Sequence, residues 1–196
     1  MKEMMLFPLG SVLLPGGKMK LRIFEPRYKR LVKQACQTSN TFGICLFDGK
    51  TGETAPVLSS VGTLAQIVDF EALDGGLLGV TVVGTKRFRI VNVRSEFDGL
   101  RQAEVEWLRT WSYSKIEVKH RHLSEQLQHI FRRFPKFAEL HPQCFFDDAS
   151  WVCQRWLELL PVKKKDVDFL LMQDDCHQAM EFLSQSNFVS ENRRLN

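Results

Sequence analysis

No stretch of this chain approaches the roughly 18 uncharged apolar residues that a membrane-crossing helix requires. A secretory leader is missing too. The apolar run within Met1-Lys2-Glu3-Met4-Met5-Leu6-Phe7-Pro8 is too short for one, so a soluble, cytoplasmic protein with no membrane partner is the expectation. Cysteine is sparse and unpatterned: Cys36, Cys45, Cys144, Cys153 and Cys176 form an odd number without a C-x-x-C pair. That excludes a zinc ribbon and a disulfide framework as first readings and leaves reduced, packing thiols. A phosphate-binding loop is absent. Gly17-Lys18 ends like one, but Val12 stands where its first glycine belongs and Met19 where its metal-binding hydroxyl belongs. No G-x-S-x-G elbow occurs, and the adjacency of Ser114 and Lys115 does not make the lysine an activating base. Neither a catalytic site nor a cofactor is expected.

What is present suits an ordinary globular protein. Hydrophobic residues make up 44% of the 196 and charged residues 26%, enough for one domain or two small ones, and no repeat or low-complexity tract appears. The net charge of +4 lies wholly in the first part: residues 1–111 hold 15 Lys and Arg against 11 Asp and Glu, and residues 112–196 hold 12 of each. Spread along the segment, this surplus falls short of the basic stripe that phosphate backbones need. The runs Arg132-Arg133 and Lys163-Lys164-Lys165 read as solvated or dipole-complementing residues at helix ends.

The chain changes character near Trp111-Ser112-Tyr113-Ser114, giving domains over 1–111 and 112–196. Before that point the pattern is that of strands. Gln102 to Trp107 alternates strictly, setting Ala103, Val105 and Trp107 on one face, so Trp107 is expected in the core. Asp98-Gly99 supplies a tight reversal that makes residues 87–109 a hairpin, and Asp48-Gly49 and Asp74-Gly75-Gly76 punctuate earlier strands. One helix starts at Pro26, whose fixed φ suits a first turn, and runs to about Thr38, burying Tyr28, Leu31, Val32 and Ala35.

After Ser114 the spacing turns helical. Ile116, Leu123, Leu127, Ile130 and Phe134 share a stripe that Pro135 ends. A second helix follows Asp147 or Asp148 as N-cap, points Val152, Trp156, Leu157 and Leu160 inward, and stops at Pro161. Shorter helices span Lys163 to Gln173 and, capped by Asp174, Asp175 to Gln185; Arg193-Arg194-Leu195-Asn196 forms a frayed tail. His141, Cys144, Cys153, Cys176 and His177 match no metal-ligand spacing and read as packing or surface residues. Asp174-Asp175 read as a cap. Cys176, at a helix start, is a candidate for a lowered thiol pKa without an evident catalytic partner.

Four ordered blocks carry a family likeness: Leu6 to Gly17; Leu21-Arg22-Ile23-Phe24-Glu25-Pro26-Arg27-Tyr28; Val61-Gly62-Thr63-Leu64-Ala65 with Ile67 to Phe70; and Gly84 with Arg87-Phe88-Arg89-Ile90. Together they span about the first 110 residues and resemble the N-terminal, substrate-binding domain of the Lon protease family. The residue pattern gives an α+β fold, a mostly antiparallel β domain with one inserted helix followed by a small helical bundle, and the resemblance implies that the β domain is a PUA-like pseudo-barrel. It implies a stand-alone, non-catalytic module that binds unfolded or exposed segments of other proteins. Phe7, Phe24, Arg27 and Tyr28 are the candidate contacts, against a plainer reading in which the aromatics are core and Arg27 pairs with Glu25 at the sheet-to-helix junction. Because PUA-like domains also occur in RNA-binding proteins, RNA binding is the alternative. The dispersed charge argues against a nucleic-acid partner, an enzyme acting on a small ligand ranks third, and self-association into a homo-oligomer is left open.

Overall fold

The computed structural model describes residues 2–48 and 57–186. Asp48 closes a strand, while Gly49 and the Arg193–Asn196 tail lie outside the described residues. The chain divides into two compact units, residues 1–108 and 109–196.

The first unit runs β1 (Lys2–Leu9), β2 (Lys18–Ile23), α1 (Pro26–Cys36), β3 (Thr41–Asp48), β4 (Val57–Leu73), β5 (Leu77–Ser95) and β6 (Arg101–Trp107). The strand order is β2-β5-β4-β3-β1-β6, and β5 also pairs with β6. Five strands therefore form a closed ring. Strand β2 stands outside that ring, paired with the first half of β5 through Lys18↔Val83 to Ile23↔Leu78, while the second half of β5 carries β6. All pairings are antiparallel except β1 with β3. The expected hairpin is present, Phe88 facing Trp107 and Ser95 facing Arg101 around a turn in which Gly99 takes φ 79°. Gly75 and Gly76, both at φ 73°, turn the chain between β4 and β5.

Two buried clusters fill this unit. One packs Leu31, Val32 and Ala35 of α1 against Phe7, Leu21, Ile23, Phe42, Ile44, Val80 and Val82; the other gathers Met4, Leu6, Cys45, Phe88, Ala103 and Val105. Gly84 shows why a family block contains a glycine. A Cβ there would lie 2.2 Å from the Leu14 carbonyl oxygen, because Gly84 exchanges hydrogen bonds with the Leu14–Gly17 turn, its N–H donating to Gly17 O and its O accepting from Gly16 N–H, both at 2.9 Å. The obstacle is backbone, which cannot swing aside.

Two sequence expectations for this unit are corrected. Helix α1 ends at Cys36, where Asn40 at φ 53° donates back to the Ala35 carbonyl, and it buries Leu31, Val32 and Ala35 while Tyr28 stays half-buried at its first turn. Trp107 is 44% exposed, although Ala103 and Val105 on the same face are 2% and 1% exposed. It is the last residue of its strand, so only one edge meets Phe88, at 6.5 Å, and the Lys2 ammonium lies 5.7 Å from its ring.

The second unit holds α2 (Arg121–Arg133), α3 (Pro135–Ala138), α4 (Ala149–Leu159), α5 (Lys164–Leu171) and α6 (His177–Gln185). Here too the expected register shifts. On α2 the buried stripe is Leu123, Leu127 and Phe131, while Ile116 precedes the helix and Phe134 is exposed. Phe131 replaces Phe134 because it centres an aromatic cluster, its ring 4.8 to 5.7 Å from Phe137, Phe146, His141 and Trp151. Asp148 is the N-cap of α4, accepting from Ser150 N–H at 3.0 Å. The cap position of α6 is Cys176 rather than Asp174, and Asp175 accepts from His177 N–H at 2.9 Å. Lys163-Lys164-Lys165 opens α5, where the expected helix also starts; this is the unfavourable end for cations, so the run does not complement the dipole, and Lys164 pairs with Asp168 at 2.6 Å.

Two substitutions test this packing. Trp107→Ala is expected to cost about 1 to 2 kcal/mol, below the roughly 3 to 5 for a fully buried tryptophan. Gly84→Ala is expected to cost more, about 2 to 4 kcal/mol, by forcing the Leu14 carbonyl away. Urea titration of both variants checks the order, and Trp107→Ala proving the costlier would place the tryptophan in the core.

Candidate functional site

Where β1 outruns its partner, the first unit leaves a groove. Strand β6 pairs with β1 only as far as Leu6↔Arg101, so Phe7, Pro8 and Leu9 keep β3 on one side and, among the described residues, no strand on the other. Among the described residues, β2 pairs on one side only. A groove of about 690 Å³ is lined by the end of β1, by Met19 to Arg22 of β2, by Phe24 to Tyr28 at the start of α1, and by Phe47 and Arg101.

All four residues singled out in the sequence line this groove, at different depths. Phe7 forms the floor, only 6% exposed, and its ring lies 4.2 Å from that of Tyr28. Tyr28 is half-buried; burial pushes its hydroxyl pKa up against the pull of Arg27. Phe24 is 65% exposed. Arg27 bridges several groups: Nη2 lies 2.7 Å from Glu25 Oε2, Nη1 donates to the Gly99 carbonyl at 3.2 Å, and the guanidinium carbon is 4.8 Å from the Tyr28 ring centre.

The local sequence dictates this arrangement. A residue before proline is driven to extended backbone, and Glu25, with φ −71° and ψ 137°, becomes the N-cap of α1 while Pro26 takes the first helical position. The Glu25 carbonyl accepts from the N–H groups of Tyr28 and Lys29 at 3.0 and 3.1 Å, whereas its carboxylate makes no cap hydrogen bond and turns to Arg27. One turn further on, Arg30 grips the hairpin turn. Its Nε and Nη2 donate to the two Asp98 oxygens at 2.8 Å each, and Nη2 also meets Glu96. These bonds hold the Asp98 and Glu96 carboxyls below their ordinary pKa values.

Several lining residues escaped the sequence reading. Lys20 and Arg22 alternate with buried Leu21 and Ile23, a strand pattern that could have marked them as one face of β2, while nothing in the sequence places Arg101 beside them. Arg22 and Arg101 form no ion pair among the described residues.

The second unit has a cavity of about 630 Å³ lined by His120, Cys176 and His177 among others. Hydrogen bonds from Cys153 and Ser150 lower the Cys176 thiol to about 7, while burial pushes Cys153 up. The thiol itself is buried, all five cysteines are free, and no group of three potential metal ligands occurs among the described residues. No described helix is long and apolar enough to cross a membrane.

A ring-shaped, mostly antiparallel sheet with one inserted helix and a following set of helices is the fold of Lon N-terminal domains. The chain is similar to a solved Lon N-terminal domain protein from Xanthomonas campestris, with a TM-score of 0.74 and 34% identity over 93% of this chain and 97% of that one. It shares the fold of the N-terminal domain of a Mycobacterium avium complex Lon protease at TM-score 0.63 and 16% identity, covering 97% and 99% of the two chains. The model of the ATP-dependent protease La (LON) substrate-binding domain matches residues 3–183, and the chain belongs to that family. The match runs well past the 110 residues that the sequence blocks span and takes in most of the second unit. Among curated proteins, cereblon from Gallus gallus is 29% identical over 100 residues and cereblon from Danio rerio 30% over 103, about half of this chain. The chain spans 22% and 24% of their lengths.

The Arg30 clamp gives a pH dependence. A carboxyl whose folded pKa is lowered adds stability above its unfolded value, and that stability is lost as pH falls through the folded one. With ordinary values of 3.8 for Asp98 and 4.5 for Glu96, the contribution is complete at neutral pH and drains away below about 4.5. Arg30→Gln is expected to be less stable than the parent at pH 7, with the gap closing toward pH 2. Urea titrations across that range check it, and a gap constant with pH would show that the clamp is not electrostatic.

Proposed function

We propose that this protein is a non-catalytic module of the cytoplasm that binds unfolded or exposed segments of other proteins, with the groove at α1 as its site. The observation that carries this reading is the coincidence of two strand edges unpaired among the described residues, at β2 and the end of β1, with Tyr28 packed on Phe7 and exposed Phe24 on the same groove. An extended chain supplies what both need. Its backbone hydrogen-bonds to a strand edge, and its alternate apolar side chains meet the rings. Membership of a substrate-binding family supports polypeptide as the ligand class. Phe24, Arg27 and Tyr28 then serve as contacts, and Phe7 supports them from beneath. A flexible partner must be ordered on binding, so affinity is modest and tolerant of sequence.

Reduced, alkylated α-lactalbumin is expected to bind with a dissociation constant of about 1 to 100 µM, and its native form not to bind. Phe24→Ala, at an exposed position, is expected to weaken binding about fivefold or more with an unchanged melting temperature. Anisotropy with the labelled reporter measures both. Equal or absent binding of the two forms defeats the reading, as does casein cleavage or ATP hydrolysis that a point substitution in this chain abolishes.

A further inference from the structure

The rim of the groove carries a charge pattern that chain-wide composition conceals. Lys20, Arg22, Arg27 and Arg101 line it, and Glu25 is the one acid lining it among the described residues. Arg27 is matched by Glu25, and Lys20 lies 3.8 Å from Glu71. Arg22 and Arg101 remain unmatched among the described residues, on the two strands that flank the opening. From this we propose, resting on the polypeptide-binding reading above, that the groove selects acidic segments: an extended stretch in which a large apolar side chain is flanked by Asp or Glu.

The chemistry of the two arginines argues for carboxylates. A guanidinium offers paired donors whose spacing fits the two oxygens of a carboxylate, and beside a partly buried groove the bond is less screened than in open solvent. The apolar residue goes to Phe24 and Tyr28, and the carboxylates go to Arg22 on β2 and Arg101 at the start of β6. Strand β2, six residues long, offers an edge of about 20 Å, enough for a segment of about six residues whose alternate side chains face the groove.

A single-stranded nucleic acid would also favour cations beside aromatic rings, but it needs ring faces free for stacking. Phe7 is buried and Tyr28 already carries Phe7 and Arg27 against its ring, which leaves Phe24 as the exposed ring among these three. The unpaired strand edges, in contrast, suit a peptide backbone.

The test uses three fluorescein-labelled 12-residue peptides that share one central Phe and differ only in its flanks, which are Glu, Gln or Lys, together with a 12-nucleotide oligo(U) RNA. At about 50 mM salt the Glu peptide is expected to bind about tenfold tighter than the Lys peptide, with the Gln peptide between them and the spread shrinking toward 500 mM salt. Arg22→Gln, at an exposed position, is expected to reduce the preference about threefold, and Arg22→Gln with Arg101→Gln to abolish it while Gln-peptide binding persists. Equal binding of all three peptides to the parent overturns the acidic preference and leaves polypeptide binding standing. So does a preference that survives in the double variant. RNA binding tighter than the Glu peptide overturns the choice of ligand class, and failure of every peptide and of the unfolded reporter overturns both readings.

Discussion

The groove exists because α1 is tied at its first turns to the hairpin between β5 and β6. Arg27 reaches the Gly99 carbonyl and Arg30 the Asp98 carboxylate, so two side chains of one helix hold one turn. The same Arg27 engages Glu25 and lies against Tyr28. Moving that helix start would separate Tyr28 from Phe7 and open the wall of the groove. The bonds are charge-assisted and partly shielded, which makes them stronger than free surface pairs. A short polar contact thus positions an apolar surface.

The ring of strands supplies the other constraint. Strand β5 runs nineteen residues and serves two partners in turn, β2 along its first half and β6 along its second. The handover from one to the other leaves β2, among the described residues, unpaired on its far side and β1 without β6 past Leu6. Close backbone approach at Gly84 holds the Leu14–Gly17 turn just ahead of β2. A glycine that reads as a family mark in the sequence is therefore a packing requirement near the opening.

Much of this was legible in the residues. Pro26 announced α1, Asp98-Gly99 announced the hairpin, and the pair Asp147-Asp148 announced the N-cap of α4, which falls to Asp148, because each acts through local backbone chemistry. Alternation also placed Ala103 and Val105 correctly but misjudged Trp107, since it fixes the side of a sheet a residue faces and not how far the core extends beneath it. Helical spacing put Phe134 on the buried stripe of α2, and the rings packed around Phe131 decide for that residue instead. The groove's four candidates lay close together in the chain, within the first two blocks. Arg101 joins Arg22 only through the strand order, so their shared charge was invisible in a composition that looked dispersed.

The pairing of β1 with β6 also governs when this protein can form. Lys2 sits opposite Val105, so β1, the earliest strand of this unit, is among the last of them to be satisfied. A ribosome adding about 5 to 20 residues per second leaves β1 waiting on the order of 5 to 20 s for its neighbour. Throughout that interval Met4 and Leu6, both destined for the core, lack the strand that covers them. During its own synthesis the nascent chain is thus an unfolded polypeptide with exposed apolar side chains.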